Sequence, residues 1–166
     1  MTRRLNDAGL ALLQHFEQGP KGGPALQAYR CPAGVWTIGW GHTGKGAYEG
    51  AFIGLAMAVQ YLQDDAARFA ADVERLAPGL GENAHAALTC FAFNLGSAAL
   101  QKSTLLRHLQ AGNHAMAAAE FPRWNRAGGK VLAGLTRRRL AEQALFCSPD
   151  GKVPPKPWPD VKLQAA

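Results

Sequence analysis

One uninterrupted apolar stripe constrains the fold of this chain more than any other feature of its sequence. Between Gly54 and Leu76, apolar residues recur in alternating steps of four and three, at Leu55, Val59, Leu62, Ala66, Phe69, Val73 and Leu76. This spacing is typical of one face of an α-helix. A helix over residues 54–76 would be about 35 Å long, about the width of a small domain. We therefore expect a strut that joins two lobes, and that Pro78 and Gly79 end it.

The residues before this strut predict a small lobe that mixes a helix with a β-hairpin. Apolar residues at helical spacing predict a helix over about residues 6–18, which the Gly19-Pro20 pair ends. Residues 29–43 alternate with a period of two instead, as strands do. One face would carry Val35, Thr37, Gly39 and Gly41, and the other would carry Trp36, Ile38, Trp40 and His42. We expect a short, partly exposed hairpin here.

The residues after the strut predict a helical lobe. Helices are expected to begin at Asn83, at Ser103 or Thr104 and at Asn113, and a last helix is expected over residues 135–146. The expected architecture is α+β, mainly helical and two-lobed, in a single domain over residues 1–166. Its parts would be an N-terminal lobe over about 15–53, a connecting helix over about 54–76, a C-terminal helical lobe over about 78–147 that packs with the first helix, and an extended tail over 148–166.

The positive charge of the chain is concentrated in its last quarter. The net charge is +6, and from residue 121 onward there are nine Lys/Arg residues against three Asp/Glu residues. Such a cluster suits an anionic partner, such as nucleic acid, anionic lipid or an acidic wall polymer, or it simply keeps the protein soluble. Residues 137–139 are all arginines, and in the first turn of a helix they predict acidic or aromatic neighbours. Glu142, four residues after Arg138, predicts a surface ion pair.

Cysteine content and motifs exclude several classes of protein. Three cysteines, Cys31, Cys90 and Cys147, are typical of a reduced chain rather than of a disulfide scaffold. The N-terminal residues read as an amphipathic helix rather than a signal peptide, and no apolar run is long enough for a membrane span. No phosphate-binding loop, dinucleotide fingerprint or paired metal-ligand motif occurs, so we expect no cofactor and no metal.

Polar chemistry is densest between Tyr29 and Thr43, and two reaction schemes can be built there. In the first, Glu17 is a general acid for glycosidic bond cleavage, and Cys31 with Thr37 holds a water on the opposite side of the substrate. The helix dipole does not stabilise a carboxylate at a helix C-terminus, which favours Glu17 as a proton donor.

In the second scheme, Cys31 is a nucleophile activated by His42, as in thiol peptidases and amidases. No Asn or Asp in this segment is placed to orient His42, so the first scheme is favoured. A structural function is the better interpretation of His42. We expect it to pair with Asp65 of the long helix and so to hold the hairpin against it.

These residues resemble the phage lysozyme (endolysin) family, glycoside hydrolase family 24. The residues that carry the resemblance are Glu17, then Tyr29-Arg30-Cys31, then Thr37-Ile38-Gly39-Trp40-Gly41-His42. Further similar segments are FAFNLG at 91–96, STLLRHLQAG at 103–112, Glu120-Phe121 with Arg123-Trp124, and GLTRRRLAEQALF at 134–146. In one respect the chain departs from the family pattern, since fourteen positions, more than is usual, separate Glu17 from Cys31.

The resemblance implies a lysozyme-like fold and hydrolysis, with inversion, of the β-1,4 bond between N-acetylmuramic acid and N-acetylglucosamine in peptidoglycan. It implies Glu17 as general acid, Cys31 in the place usually held by aspartate, and Thr37 as the residue that positions water. Thr43, Phe93, Asn94 and Thr104 would bind substrate, while His42 and Asp65 would be structural residues near the site.

The resemblance also implies where the protein acts. We expect a monomer that binds peptidoglycan and no nucleic acid, with the basic last quarter engaging an anionic wall or outer-membrane polymer. It would wait in the host cytoplasm until a pore-forming partner releases it to the wall, and there cause lysis. The alternatives are a peptidoglycan peptidase or amidase that uses Cys31 and His42, and a non-catalytic basic protein that binds the wall.

Overall fold

Helices dominate the chain in the computed structural model, which describes residues 3–152. The helices among these residues are α1 (Asp7–Phe16), α2 (Leu55–Leu76), α3 (Glu82–Leu95), α4 (Ser97–Lys102), α5 (Thr104–Gln110), α6 (His114–Glu120) and α7 (Ala133–Cys147), with a 3₁₀ turn at Phe121–Arg123. The strands are β1 (Ala25–Arg30), β2 (Trp36–Gly39), β3 (His42–Thr43), β4 (Arg126–Ala127) and β5 (Lys130–Val131). The predicted α+β, mainly helical fold is confirmed, while the part of the expected tail beyond Lys152 lies outside the described residues.

Helix α1 begins and ends where local sequence chemistry dictates. The side chain of Asn6 accepts a hydrogen bond from the amide of Gly9 at 2.9 Å and so caps the first turn. Leu12 and Leu13 are fully buried and fix the helix against the core. The helix ends at Phe16, and Glu17 follows as the capping residue, with its amide donating to the carbonyl of Leu13 at 2.8 Å. Glu17 therefore lies at the C-terminal end of the helix.

The predicted hairpin is part of a three-stranded antiparallel sheet with the order β1-β2-β3. Tyr29 pairs with Thr37, which in turn pairs with Thr43. The segment is partly exposed, as expected, and β2 is its buried part, since both Thr37 and Ile38 are buried although they point to opposite faces. Both faces of β2 are covered by other parts of the protein, so the alternation of its side chains does not correspond to one buried and one exposed face.

The connecting helix is present as α2, but two of its buried residues lie one position away from residues of the predicted stripe. Its buried residues are Ala58, Leu62, Ala66, Ala70 and Val73. Leu55, which we expected in the stripe, is 58% exposed because it lies in the first turn, at the edge of the packed surface. Ala58 packs against Gly39, where an added Cβ would lie 3.6 Å from that of Ala58. Gly39 also has φ of +64°, which glycine adopts without strain.

Helix α3 is the centre of the C-terminal part of the fold. Residues 85–92 of this helix are all buried, and it packs against α1, α2 and α7. The ring of Phe91 lies nearly perpendicular to the rings of Phe121 and Trp124, with centroids 5.6 and 5.4 Å apart. Because residues 85–92 are buried on all sides, α3 must be enclosed by other elements, and α1, α2 and α7 provide this cover.

The predicted helix start at Asn83 was wrong by two residues, because a residue distant in sequence, Asp150, accepts a hydrogen bond from the first turn of the helix. The capping residue of α3 is Gly81, and the carboxylate of Asp150 accepts the amide of Asn83 at 2.9 Å. The buried side chain of Asn83 donates instead to the carbonyls of Pro149 and Lys152, at 2.8 and 2.9 Å. A remote carboxylate thus supplies the acceptor that a local side chain usually gives.

The remaining helix starts are closer to expectation. Ser103 caps α5, since its hydroxyl accepts the amide of Leu106 at 3.0 Å. Asn113 precedes α6, although its side chain makes no capping hydrogen bond. The last helix begins at Ala133 rather than at residue 135 and ends at Cys147. Within residues 3–152, no helix combines the length and apolar character needed to cross a membrane.

Candidate active site

Glu17 lies at the end of α1 with its side chain one-quarter exposed. Its Oε1 accepts a hydrogen bond of 2.7 Å from Nη1 of Arg138, a residue of α7 that is almost completely buried. A charge-assisted hydrogen bond this short is strong and directional. The contact joins helices α1 and α7 at the candidate general acid. Local sequence patterns do not predict this contact, although three consecutive arginines in one helical turn indicate that an acidic neighbour is needed.

The expected surface ion pair between Arg138 and Glu142 is buried. Glu142 is fully inaccessible to solvent, and its Oε1 accepts from Nε of Arg138 at 3.2 Å. Its Oε2 lies 3.2 Å from Nη1 of Arg139, an ion pair whose geometry is not that of a hydrogen bond. Burial raises the pKa of Glu142 to about 7, against the opposing effect of the two arginines. The prediction of a surface pair was wrong because helical spacing alone does not reveal which face of α7 is covered.

Acidic and aromatic neighbours do neutralise the arginines of α7, as expected. The guanidinium of Arg138 lies 5.6 Å from the ring centroid of Phe16. Arg139 is fully buried, lies 5.1 Å from the ring centroid of Phe91 and donates to the side-chain oxygen of Asn94. Cation–π contact of this kind partly replaces the solvation that a buried guanidinium loses. Two of the three arginines therefore belong to the core and not to a basic surface.

Cys31 and Thr37 are neighbours across a tight turn. The amide of Cys31 donates to the carbonyl of Val35 at 3.0 Å, and Gly34 closes the turn with a φ of +78°. Hydrogen bonds from the backbone at Val35 and Ala33 lower the pKa of the Cys31 thiol, and the Thr37 hydroxyl contributes to the same effect. Thr37 itself is buried and donates to the carbonyl of Val35 at 3.1 Å. The predicted proximity of these two side chains is confirmed.

His42 is held in place by both of its ring nitrogens. Nδ1 lies 2.9 Å from Oδ2 of Asp65, and Nε2 lies 3.0 Å from the carbonyl oxygen of Lys45. The ring also stacks on Tyr61, with centroids 4.2 Å apart. Burial disfavours the charged ring, but the two acceptors prevail and raise the pKa of His42. The predicted pair with Asp65 is confirmed, and no ring nitrogen is left to activate Cys31.

A groove of about 400 Å³ runs between β3, α2 and α3, and it contains two of the expected substrate-binding residues. Its walls are Gly41, Thr43, Asp64, Asp65, Arg68, Phe69 and Phe93. Phe69 and Phe93 are in contact, with ring centroids 5.4 Å apart. Asn94 follows Phe93 in α3 and is exposed, while its side chain is tied to Arg139. Thr104 is not a wall residue of this groove, and its hydroxyl accepts a hydrogen bond from Arg107 at 2.8 Å.

The long loop between Glu17 and β1 forms one wall of a second, more apolar groove. This groove measures about 380 Å³, and among its wall residues are Lys21, Leu26, Tyr29 and Phe52. Phe52 is 73% exposed, and its backbone neighbours Ala51 and Ile53 pair with β1. No group of three His, Cys, Asp or Glu side chains within the described part of the chain could hold a metal ion.

Comparison with known proteins agrees with the arrangement of these elements. Residues 21–142 match the family described as phage lysozyme. The endolysin of Bacillus phage PZA is 40% identical over 148 residues, which are 87% of this chain and 55% of that relative. The muramidase domain of SpmX from Asticaccaulis excentricus is 35% identical with a TM-score of 0.75, over 87% of this chain and 98% of that one. A mutant of phage P22 lysozyme is 32% identical with a TM-score of 0.79, over 88% and 99%.

A small sheet, a long connecting helix and a helical remainder, with a carboxylate at the end of the first helix, define a lysozyme-like fold. The extent of the family match is decisive, since it covers well over half of the chain. The chain belongs to the phage lysozyme family. It spans about half the length of the endolysins from Bacillus phages PZA and B103, at 55% and 56% of their residues.

Proposed function

We propose that this chain is an endolysin of the muramidase type, which hydrolyses the β-1,4 bond between N-acetylmuramic acid and N-acetylglucosamine in peptidoglycan. The observation that carries the proposal is the partly exposed carboxylate of Glu17, fixed by Arg138 at 2.7 Å at the end of α1. Relatives that share this fold are named endolysin, lysozyme and muramidase domain, which supports the same reaction.

In the proposed reaction, Glu17 donates its proton to the glycosidic oxygen as the bond to the anomeric carbon breaks. A water on the opposite face of the sugar attacks that carbon, so the configuration inverts. Cys31 and Thr37 position this water. We take Cys31, whose pKa is lowered by hydrogen bonds from the backbone at Val35 and Ala33, as the group that accepts the proton which the water loses. Thr43 and Phe93 would contact the glycan in the groove, with Asn94 and Thr104 as further substrate-binding residues.

Replacing Glu17 with Gln tests the central assignment. Purified peptidoglycan is digested with the wild type and with Glu17→Gln, and new reducing ends are counted. We expect the rate to fall by about a hundredfold or more, as for loss of a general acid. Glu82→Gln, an exposed glutamate in the first turn of α3, serves as the matched control and should retain activity. Full activity of Glu17→Gln would refute the assignment.

The mass of the released fragments separates the proposed hydrolase from its alternatives. Hydrolysed sugars with reducing ends are expected, whereas new amino groups without reducing ends would favour the peptidase or amidase that uses Cys31 and His42. Both ring nitrogens of His42 already make hydrogen bonds, to Asp65 and to the carbonyl of Lys45, so neither is available to activate Cys31. Binding to peptidoglycan without any product would leave the non-catalytic wall-binding protein.

A second proposal concerns the exposed cations of the β4-β5 hairpin. Arg126 and Lys130 lie on the exposed β4-β5 hairpin, which immediately precedes α7. We propose that this hairpin attracts an anionic wall or outer-membrane polymer. Since Arg138 and Arg139 are buried, the basic surface is smaller than the sequence suggested.

We also propose that the protein acts as a monomer without nucleic acid, and that it stays in the host cytoplasm until a pore-forming partner admits it to the wall. The absence of a membrane-spanning helix among the described residues is compatible with this route. Expression in a bacterial host with and without a pore-forming protein tests it. Lysis in the absence of such a protein would contradict it, and gel filtration would detect an oligomer.

A further inference from the structure

One guanidinium group bridges two carboxylates beneath the candidate active site. Nη1 of Arg138 donates to Glu17 at 2.7 Å, and Nε of the same side chain donates to Glu142 at 3.2 Å. Glu17 is partly exposed, whereas Glu142 is completely buried one helical turn beyond Arg138. The reaction proposed above uses Glu17 and leaves the buried carboxylate without a function.

We propose that Glu142 is a positioning residue of this site, which fixes Arg138 against Glu17 and sets how much of the arginine's positive charge acts on the Glu17 carboxyl group. This inference rests on the proposed function, because it takes Glu17 as the group that donates the proton. Glu142 touches no substrate and acts only through Arg138.

The geometry explains how Glu142 orients the arginine. A guanidinium is planar, and its donors have fixed directions, so two well-placed acceptors determine its position. Glu142 engages the Nε edge and Glu17 engages Nη1, while Nη2 approaches the carbonyl of Cys90 at 3.5 Å. Without the acceptor at Nε, the guanidinium could rotate away from Glu17.

The charges around Glu142 come from three helices. Arg138 and Arg139 face it from α7, Glu17 faces it from the end of α1, and Cys90 faces it from α3. Burial raises the pKa of the Cys90 thiol, so Cys90 stays neutral. Burial likewise raises the pKa of Glu142 to about 7, so the charge of this group changes within the range of pH in which an enzyme works.

The charge state of Glu142 has a definite effect on Glu17. Ionised Glu142 offsets the charge of Arg138, which lets Glu17 keep its proton more easily. Without the charge of Glu142, the whole positive charge of Arg138 acts on Glu17 and favours its carboxylate. Because the general acid must be protonated, loss of the Glu142 charge reduces the active fraction at neutral pH.

Replacing Glu142 with Gln tests this effect, since the amide retains an acceptor for Nε of Arg138 but has no charge. In Glu142→Gln, we expect the alkaline limb of the plot of kcat against pH to move to lower pH by about half a unit to one unit. At neutral pH, kcat should fall about three- to tenfold while KM stays within about twofold, because no substrate contact changes. Glu142→Asp keeps the charge, and its alkaline limb should return to the wild-type position.

Glu120 provides a matched control on another helix. It is also buried and forms an ion pair with Arg123 at 3.4 Å, but it has no link to Glu17 among the described contacts. Glu120→Gln should lower thermal stability without moving the alkaline limb. An unmoved limb in a folded Glu142→Gln enzyme, or equal movement in Glu120→Gln, would overturn the inference.

A measurement on the wild-type enzyme decides the question even where Glu142→Gln does not fold. Carboxyl carbons of glutamate are labelled with ¹³C, and the Glu17 signal is assigned by its loss in Glu17→Gln. Coupled groups titrate together, so the Glu17 signal should show a second inflection at the pH where Glu142 titrates. A single, independent inflection overturns the inference. Retained hydrolysis by Glu17→Gln would instead refute the proposed function, so the two failures are distinguishable.

Discussion

Cys31 differs from the other two cysteines in the groups that surround its thiol. Backbone hydrogen bonds at Val35 and Ala33, together with the Thr37 hydroxyl, lower the pKa of Cys31. Burial raises the pKa of Cys90 and also that of Cys147, although Cys147 is the most exposed of the three. Since the thiolate is the reactive form, the order of reactivity follows the pKa rather than exposure.

Limited alkylation tests this order. With a small excess of iodoacetamide at neutral pH, we expect Cys31 to react at least about fivefold faster than Cys147, and Cys90 to stay unmodified. Peptide mass spectrometry gives the extent at each site, and activity should decline with the modification of Cys31. Cys147→Ser is the control and should leave activity and the Cys31 rate unchanged. Faster reaction at Cys147 would contradict the pKa assignment.

At the residue scale, the sequence predicted contacts between residues up to 23 positions apart better than contacts between more distant residues. The turn between Cys31 and Thr37 and the pair of His42 with Asp65 both followed from spacing and residue type. The contact between Glu17 and Arg138 did not, because the two residues are 121 positions apart. Nor did the burial of Glu142, since an acid four residues after an arginine has the same spacing on a covered face as on an exposed one.

At the element scale, the pair of His42 and Asp65 joins the sheet to α2, and its strength should depend on pH. The pKa of His42 is raised in the folded protein, so the pair contributes fully below the unfolded value of about 6.5. This contribution is lost as the pH rises through the higher folded value. We expect His42→Gln to lower Tm by about 5 °C near pH 6 but by only about 2 °C near pH 9.

Thermal unfolding of both proteins at the two pH values measures this difference. His108→Gln is a suitable control because His108 lies half-exposed on α5, away from the sheet. Its effect on Tm should be small and equal at both pH values. A larger loss of Tm for His42→Gln at the higher pH would contradict the raised pKa of His42.

The elements that the sequence predicted well are those with long periodic patterns. Helix α2 was expected over residues 54–76 and spans Leu55–Leu76 because its stripe continues for six turns. Strand β3 has two residues, and so short a pattern carries no periodicity. The start of α3 was misplaced because the carboxylate that accepts the amide of Asn83 belongs to Asp150, 67 residues further along the chain. Local signals therefore located the elements, whereas distant side chains fixed some of their ends.

At the scale of the whole molecule, the exposed cations of the β4-β5 hairpin should control attraction to anionic polymers. Replacing both Arg126 and Lys130 with Glu should weaken binding to purified, polymer-bearing cell walls about tenfold at low salt. Binding of this variant should also change less when salt is added. Sedimentation of the protein with cell walls at low and at physiological salt measures both effects.

The control for this experiment must carry the same change of charge elsewhere. Lys45 and Lys102 are both exposed and lie outside the hairpin, so their replacement with Glu changes net charge equally. If the attraction depends on the hairpin, this control binds more tightly than the hairpin variant. Equal weakening of both variants would mean that only the net charge matters.

The contact between Glu17 and Arg138 also has a consequence for synthesis of the chain. The ribosome adds Glu17 to the chain 121 positions before it adds Arg138. A nascent chain whose sheet and α2 have already folded still lacks Arg138, the residue that holds the Glu17 carboxylate in place. A transcript cut short before α7 would therefore yield a product without this part of the site. The complete arrangement of Glu17 and Arg138 therefore forms only after α7 has been translated.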